Sequence, residues 1–226
     1  MLREEAHLTL REVGDYVQRD PSTVSRFESG LVPARVPEVL AYLDLCGVTD
    51  ADRRDALKRL SQDVFQKGWW DRYANDIAAW LVDRILLEAR AEKIHSFQAV
   101  VLPGLLQTAD YAEAVIRASE PDASPRQVAR WVEVRMNRQQ LLSGRAPVHL
   151  EVILDEAAVR RLVGGLKTMR AQLEHLLAVA RETQVELMVL PAVAGAHASP
   201  SGAFEVFTMR PPYSDVGYVE TPTGDV

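Results

Sequence analysis

A helix in the segment "DPSTVSRFESG" (residues 20–30) has almost no freedom in where it begins or ends. Asp20 is a natural N-cap. Pro21 sits at the first helical position, where its missing N–H is not needed, and Gly30 suits the left-handed residue just past the last turn. About eight residues remain between those signals. Val24 and Phe27, three apart, point to one side, leaving Ser22, Thr23, Ser25, Arg26 and Ser29 for the others. Upstream, "TLREVGDYV" opens with Thr9 and carries Glu12 three residues later, the pattern of a capping box. Leu10, Val13 and Val17 share one face of it. The run "RDP" breaks that helix. Downstream, a loop with Arg35 leads to a helix bearing Val39, Leu40, Leu43 and Leu45, and a Thr49 or Asp50 cap opens another.

Two short helices joined by a turn of about three residues, the second exposing hydroxyls and an arginine, make a helix-turn-helix pattern. Small polar side chains let such a helix enter a major groove about 12 Å wide, and its positive end favours a nearby phosphate. On this reading Ser22, Thr23, Ser25 and Arg26 face base edges or flanking phosphates, and Arg11, Arg19 and Arg35 hold phosphates. Glu28 is expected to fix the domain rather than read a base. Residues 1–60 hold nine basic against eleven acidic side chains, a balance of −2, so few phosphate contacts and a shallow salt dependence are expected. A single module binds weakly, and a homodimer on a palindromic site is the usual remedy. The competing reading is that these helices only pack or bind protein.

At 226 residues the chain is long enough for two domains, assigned to 1–66 and 67–226. Its net charge of −6 argues against coating nucleic acid through bulk charge but leaves room for a local binding face. No apolar run approaches the roughly 20 residues of a membrane span, and "MLREEAHLTLRE" has no secretory apolar core, so a cytoplasmic protein without membrane contact is expected. The lone Cys46 falls at an apolar helical position and reads as a small core residue.

The second domain begins with an aromatic stripe. Trp69, Trp70, Tyr73, Ile77, Trp80, Leu81 and Ile85 recur at helical spacing across "GWWDRYANDIAAWLVDRILLEARAEKIHSF", which reads as one long helical stretch and chiefly as core. "QAVVLPGLL" reads as a short strand or extended segment broken at Pro103-Gly104. A helix follows from about Leu105, with Thr108–Ala118 as its body, and another runs from a Ser124 cap to Gly144. After residue 147 strand patterns appear: "PVHLEVILD", a helix capped by Asp155, an amphipathic helix, a buried-looking "VELMVLP", then the alternating "GAFEVFTMR" and "DVGYVETP" as antiparallel strands. The fold class is mainly α with a mixed α/β part: a five-helix helix-turn-helix domain, then a larger domain of helices packed on a small sheet.

Nothing here has the spacing of a catalytic or metal centre. The five histidines do not pair at ligand spacing, and HExxH and CxxC are missing. "LVGGLKT" lacks the phosphate-loop order of glycine and lysine. No catalytic residue, metal ligand or cofactor is assigned, and a non-enzyme is expected. His175 beside Glu174 reads as a solvated helix face. Trp69, Trp70 and Tyr73 are candidate partner or ligand anchors, as are His197 and Ser199 in the small-residue loop "PAVAGAHASPSGAF".

Residues 2 to about 60 resemble the phage-repressor-like (Xre) helix-turn-helix family, with "PSTVSRFESG" matching its recognition helix. "GWWDRY", "FQAVVLPGLLQTADYAEAVIRA", "VRMNRQQLL" and "LDEAAVRRLVGG" resemble the C-terminal domain of actinobacterial WhiJ-like, antitoxin-like regulators. Two departures stand out: His7 occupies a position where the family favours glycine, and the family pattern runs longer at both ends. The resemblance implies a transcription regulator acting on double-stranded DNA, an operator near its own gene, with a small protein partner encoded nearby. Two alternatives stay open: an antitoxin-like module that sequesters its partner, and a small-molecule-sensing repressor.

Overall fold

Local signals set most of the N-terminal elements. The computed structural model describes residues 2–65, 68–73, 75–144, 146–221 and 224–225. It divides into two units, Met1–Gly68 with Pro211–Tyr213, and Trp69–Arg210 with Ser214–Val226. The first holds helices α1 (Leu2–Glu5), α2 (Leu10–Val17), α3 (Pro21–Glu28), α4 (Val36–Leu45) and α5 (Ala51–Val64). The α2 capping box forms: the Thr9 hydroxyl accepts from the Glu12 amide at 3.2 Å, and Glu12 accepts from the Thr9 amide at 2.7 Å. Asp50, not Thr49, caps α5, accepting from the Arg53 amide at 2.7 Å. Asp20 occupies the N-cap of α3 in extended conformation, but its carboxylate makes no capping bond. Pro21 leaves one early amide fewer to satisfy, and the Asp20 carbonyl accepts from Thr23 and Val24 instead. Gly30, at φ +74°, ends α3 in a Schellman turn, with Leu31 N–H bonded to the Arg26 carbonyl at 2.9 Å.

Val13, Val24 and Leu43, one from each of α2, α3 and α4, are almost completely buried and form the centre of this unit. Cys46 is only partly buried, at the C-cap of α4, so the expectation of a core cysteine is corrected. Burial pushes its thiol pKa up, which leaves it poorly nucleophilic.

The second unit contains α6 (Ala79–Arg90), β1 (Ala91–Gln98), α7 (Ala109–Ser119), α8 (Pro125–Arg138), β2 (His149–Asp155), α9 (Glu156–Arg160), α10 (Gly165–Val179), β3 (Val185–Leu190), β4 (Phe204–Met209) and β5 (Val216–Tyr218). Two short strands, β6 (Glu220–Thr221) and β7 (Gly224–Asp225), pair with each other. The main sheet runs β3-β2-β1-β4-β5, parallel from β1 through β2 to β3 and antiparallel from β1 to β4 and β5. Helices α7–α8 and α9–α10 form the crossovers that parallel neighbours require. Helices on a small mixed sheet, after an all-helical N-terminal unit, are the architecture that the sequence predicts. One side of the sheet carries the paired rows Ile94–Leu150–Val185 and Ser96–Val152–Leu187, of which all but Leu187 are buried.

The sequence reading fails at one junction. The helical stretch from Trp69 to Phe97 is three pieces: a 3-10 turn at Trp69–Tyr73, α6, and then β1. Ala91 leaves α6 directly in extended conformation, and "AEKIHSFQ" becomes the central strand, with partners on both sides. Sheet pairing there overrides a helical period that local sequence supports equally well. Of the strand or extended segment expected at "QAVVLPGLL", only Gln98 belongs to a strand, as the end of β1; a bend and a 3-10 turn at Gly104–Leu106 follow. Trp80 falls off the aromatic stripe, 42% exposed. α8 ends at Arg138 and is extended by a 3-10 turn through Leu142 rather than running to Gly144. "VELMVLP" is an edge strand with Met188 and Val189 half exposed, not a buried one. His175 is half buried, not solvated, and burial pushes its pKa down.

Candidate nucleic-acid interface

The α2-turn-α3 unit depends on a close backbone approach. A Cβ on Gly14 of α2 would lie 2.6 Å from the Arg19 carbonyl oxygen, a distance that real Cβ atoms essentially never show. The same glycine carbonyl accepts the Arg19 amide at 2.9 Å. Gln18, at φ +57°, turns the chain between the helices. Gly14 therefore lets the turn fold back on α2 and sets the direction of α3. The sequence reading passed over this residue, although a glycine inside a capped amphipathic helix is a signal of close approach.

The C-terminal end of α3 is held by charge. Arg3 of α1 donates to Glu28 through Nε at 2.8 Å and Nη2 at 3.1 Å, and Tyr42 of α4 donates to the same carboxylate at 2.6 Å. Burial pushes the Glu28 carboxyl pKa up, but the bonds from Arg3 and Tyr42 outweigh it and leave it below the ordinary value. Glu28 thus ties three helices together, as expected for a residue that fixes the domain.

With its buried edge at Val24, α3 turns Ser22, Ser25 and Arg26 to solvent, and Thr23 is half buried beside them. Arg11 on α2 and Arg35 before α4 are also exposed. Among the described residues no carboxylate pairs with the side chains of Arg11, Arg26 or Arg35. Arg19 differs: its Nε donates to Glu38 at 2.6 Å. The other oxygen of Glu38 accepts the Arg35 backbone N–H, also at 2.6 Å. Glu38 therefore brings the turn and the loop before α4 together, and Arg19 meets a phosphate only in competition with a carboxylate. Tyr16 of α2, 54% exposed, adds an aromatic hydroxyl that the sequence reading did not single out.

The five residues expected to meet a partner or ligand do not converge. Tyr73 is completely buried, its hydroxyl bonded to Glu133 and Asn137, so it belongs to the core. Trp69 and Trp70 pack on that core around Tyr73, Ile77, Ile85 and Val134. His197 is exposed and lies against Phe97, with ring centres 5.2 Å apart and the rings tilted by 52°. The Ser199 hydroxyl donates to the Gly202 carbonyl and closes its own loop. A cavity of about 430 Å³ lies elsewhere in the second unit, among Trp80, Leu81, Trp131 and three arginines, and includes none of the five. Only Trp131 and Arg135 of its aromatic and cationic side chains had a place in the sequence reading of α8, and there as one side of a helix.

The "LPGLLQT" run forms one wall of that cavity. Its backbone carbonyls are satisfied by side-chain amides: Gln107 donates to the Leu102 carbonyl at 2.6 Å, Gln139 to that of Gln107 at 2.6 Å, and Gln172 to that of Leu106 at 2.7 Å. A buried turn without strand partners needs such donors, which accounts for the glutamines in and around it.

Residues 1–57 match a family described as Helix-turn-helix domain, and residues 81–226 match one described as Domain of unknown function (DUF5753). No curated protein and no solved structure matches the chain.

Proposed function

We propose, for a chain that belongs to the family described as Domain of unknown function (DUF5753) and carries a helix-turn-helix domain ahead of that region, that it is a DNA-binding transcription regulator. The observation that carries this reading is the capped α2-turn-α3 unit, with Ser22, Ser25 and Arg26 on the solvent side of α3. α3 supplies the groove-facing side chains, and Arg11 and Arg35 supply phosphate contacts. Arg19 contributes less, because Glu38 already holds it. The C-terminal region, residues 67–226, is the regulatory part, serving dimerisation and the binding of a small protein partner or a ligand. Descent from the Xre-type, WhiJ-like regulators fits the paired motifs of both units. The cavity favours ligand sensing as the second reading.

The test is fluorescence anisotropy of the full chain on DNA from its own promoter beside scrambled DNA, across a salt series. Arg26→Ala and Ser22→Ala are expected to abolish promoter selectivity, and Arg19→Ala to weaken binding less than Arg26→Ala. With about three phosphates neutralised per unit, the slope of log K against log salt is expected near −3 per protomer. Weak, unselective binding unchanged by Arg26→Ala sinks this reading.

A further inference from the structure

We propose that α10 is a dimerisation helix that packs antiparallel on α10 of a second copy of this chain. The inference rests on reading the C-terminal region as serving dimerisation and goes further by naming the surface and its geometry.

Met169, Gln172 and Leu176 form the buried side of α10. Beside them runs a second apolar line that stays open: Leu166 is 79% exposed, Leu177 67%, and Leu173 is exposed between them. Leu166, Arg170, Leu173 and Leu177 follow one another in steps of four, three and four, the seam spacing of two paired helices. Arg170 is the polar member. Its Nε donates to Glu174 at 2.9 Å, which draws the guanidinium to one side and leaves the methylene stem on the seam.

The strand that follows agrees. β3 is the edge of the main sheet, and no strand lies beyond it among the described residues. Met188 and Val189 are half exposed there, and "VELMVL" holds neither lysine nor proline, the usual guards of an edge. Open apolar side chains on successive elements mark an interaction surface.

The order of the side chains selects the occupant. Reversed, the seam is its own complement: Leu166 meets Leu177 of the second copy, Arg170 meets Leu173, and a two-fold axis repeats both pairs. The flanks decide the direction. Lys167 and Glu174, both exposed, stand on the outer side of the seam, and Met169 and Leu176 stand on its buried side. An antiparallel pair sets outer flank against outer flank, so Lys167 faces Glu174 of the second copy. A parallel pair would set the charged flank of one copy against Met169 and Leu176 of the other, which are already buried in their own unit.

The test uses the full chain without DNA, so its failure is distinct from a failure of DNA binding. Sedimentation velocity at about 10 μM is expected to show a species of twice the 25.2 kDa chain mass. Leu166→Glu combined with Leu177→Glu changes two side chains that are exposed in a single copy. The circular dichroism spectrum is expected to stay unchanged, and the dimer Kd to rise about a hundredfold or more, because four carboxylates enter the seam. Lys167→Glu alone and Glu174→Lys alone each set like charges together twice across the axis, and each is expected to raise Kd about tenfold. The double exchange restores opposite charges and is expected to recover most of that loss, which a contact with any other surface would not do. A dimer that persists in the leucine double variant, or a double exchange as weak as the single ones, overturns α10 as the surface and leaves the dimerisation reading standing. A monomeric wild type at that concentration overturns both.

Discussion

At the scale of single residues, two positions in the helix-turn-helix unit carry more than their size suggests. Gly14→Ala places a methyl 2.6 Å from a backbone oxygen that no rotamer change can move. A loss of about 1–3 kcal/mol is expected, measured by urea denaturation, with weaker DNA binding because the turn sets α3. Glu28→Gln breaks the bidentate bond from Arg3 and weakens that from Tyr42, with an expected loss of about 1–3 kcal/mol at neutral pH. The folded pKa of Glu28 is depressed, so its contribution is full above the ordinary carboxylate pKa of about 4.3 and disappears as pH falls through the folded value. The gap between wild type and Glu28→Gln is therefore expected to close below about pH 4, and a gap that persists there would contradict this assignment. Thr9, Pro21 and Gly30 were legible as residues because their effects are local. Gly14 and Glu28 act across elements, and their partners are visible only once the helices pack.

At the scale of elements, the buried ion network joins α6, α8 and β4. Glu88 on α6 is 1% exposed, and its carboxylate is held ionised, below its ordinary range: burial opposes this, but Arg138 and Arg84 prevail. Glu205 on β4 goes the other way, its pKa raised chiefly by burial. Removing one member of such a pair strands a buried charge, so Glu88→Gln is expected to destabilise the second unit by about 3–5 kcal/mol, read from its thermal transition. Wild-type stability after that change would show the network to be dispensable. The sequence could not announce this site. Arg84, Glu88, Arg138 and Glu205 are spread over more than a hundred residues, and only the β1–β4 pairing brings Glu205 back beside Ser96. The α6–β1 junction was misread for the same reason: "AEKIHSF" becomes a strand because it has two neighbours to pair with, not because its own residues demand it.

At the scale of the whole molecule, the net charge of −6 constrains how the proposed DNA binding could work. An acidic chain gains little from bulk attraction, so on the proposed reading DNA binding is expected to rest on a few local arginines and to show a shallow salt dependence. The two units have separate cores, one around Val13, Val24 and Leu43 and the other on the sheet. Two calorimetric transitions are expected, with Gly14→Ala lowering one and Glu88→Gln the other. If both variants lower a single shared transition, the units do not melt separately.

The sequence by itself determined the ends of α2 and α3, the helix-turn-helix arrangement, the outward face of α3 and the mixed α/β class of the second unit. Caps, prolines, glycines and apolar spacing act within a few residues, and nothing distant needs to be known to read them. Only the tertiary structure decided that α6 gives way to the central strand, that Tyr73 is core, that Arg19 is engaged by Glu38, and that three arginines meet at one end of an apolar cavity. Those outcomes depend on pairing, burial and charge balance between segments far apart in the chain, where local sequence permits several answers and packing selects one.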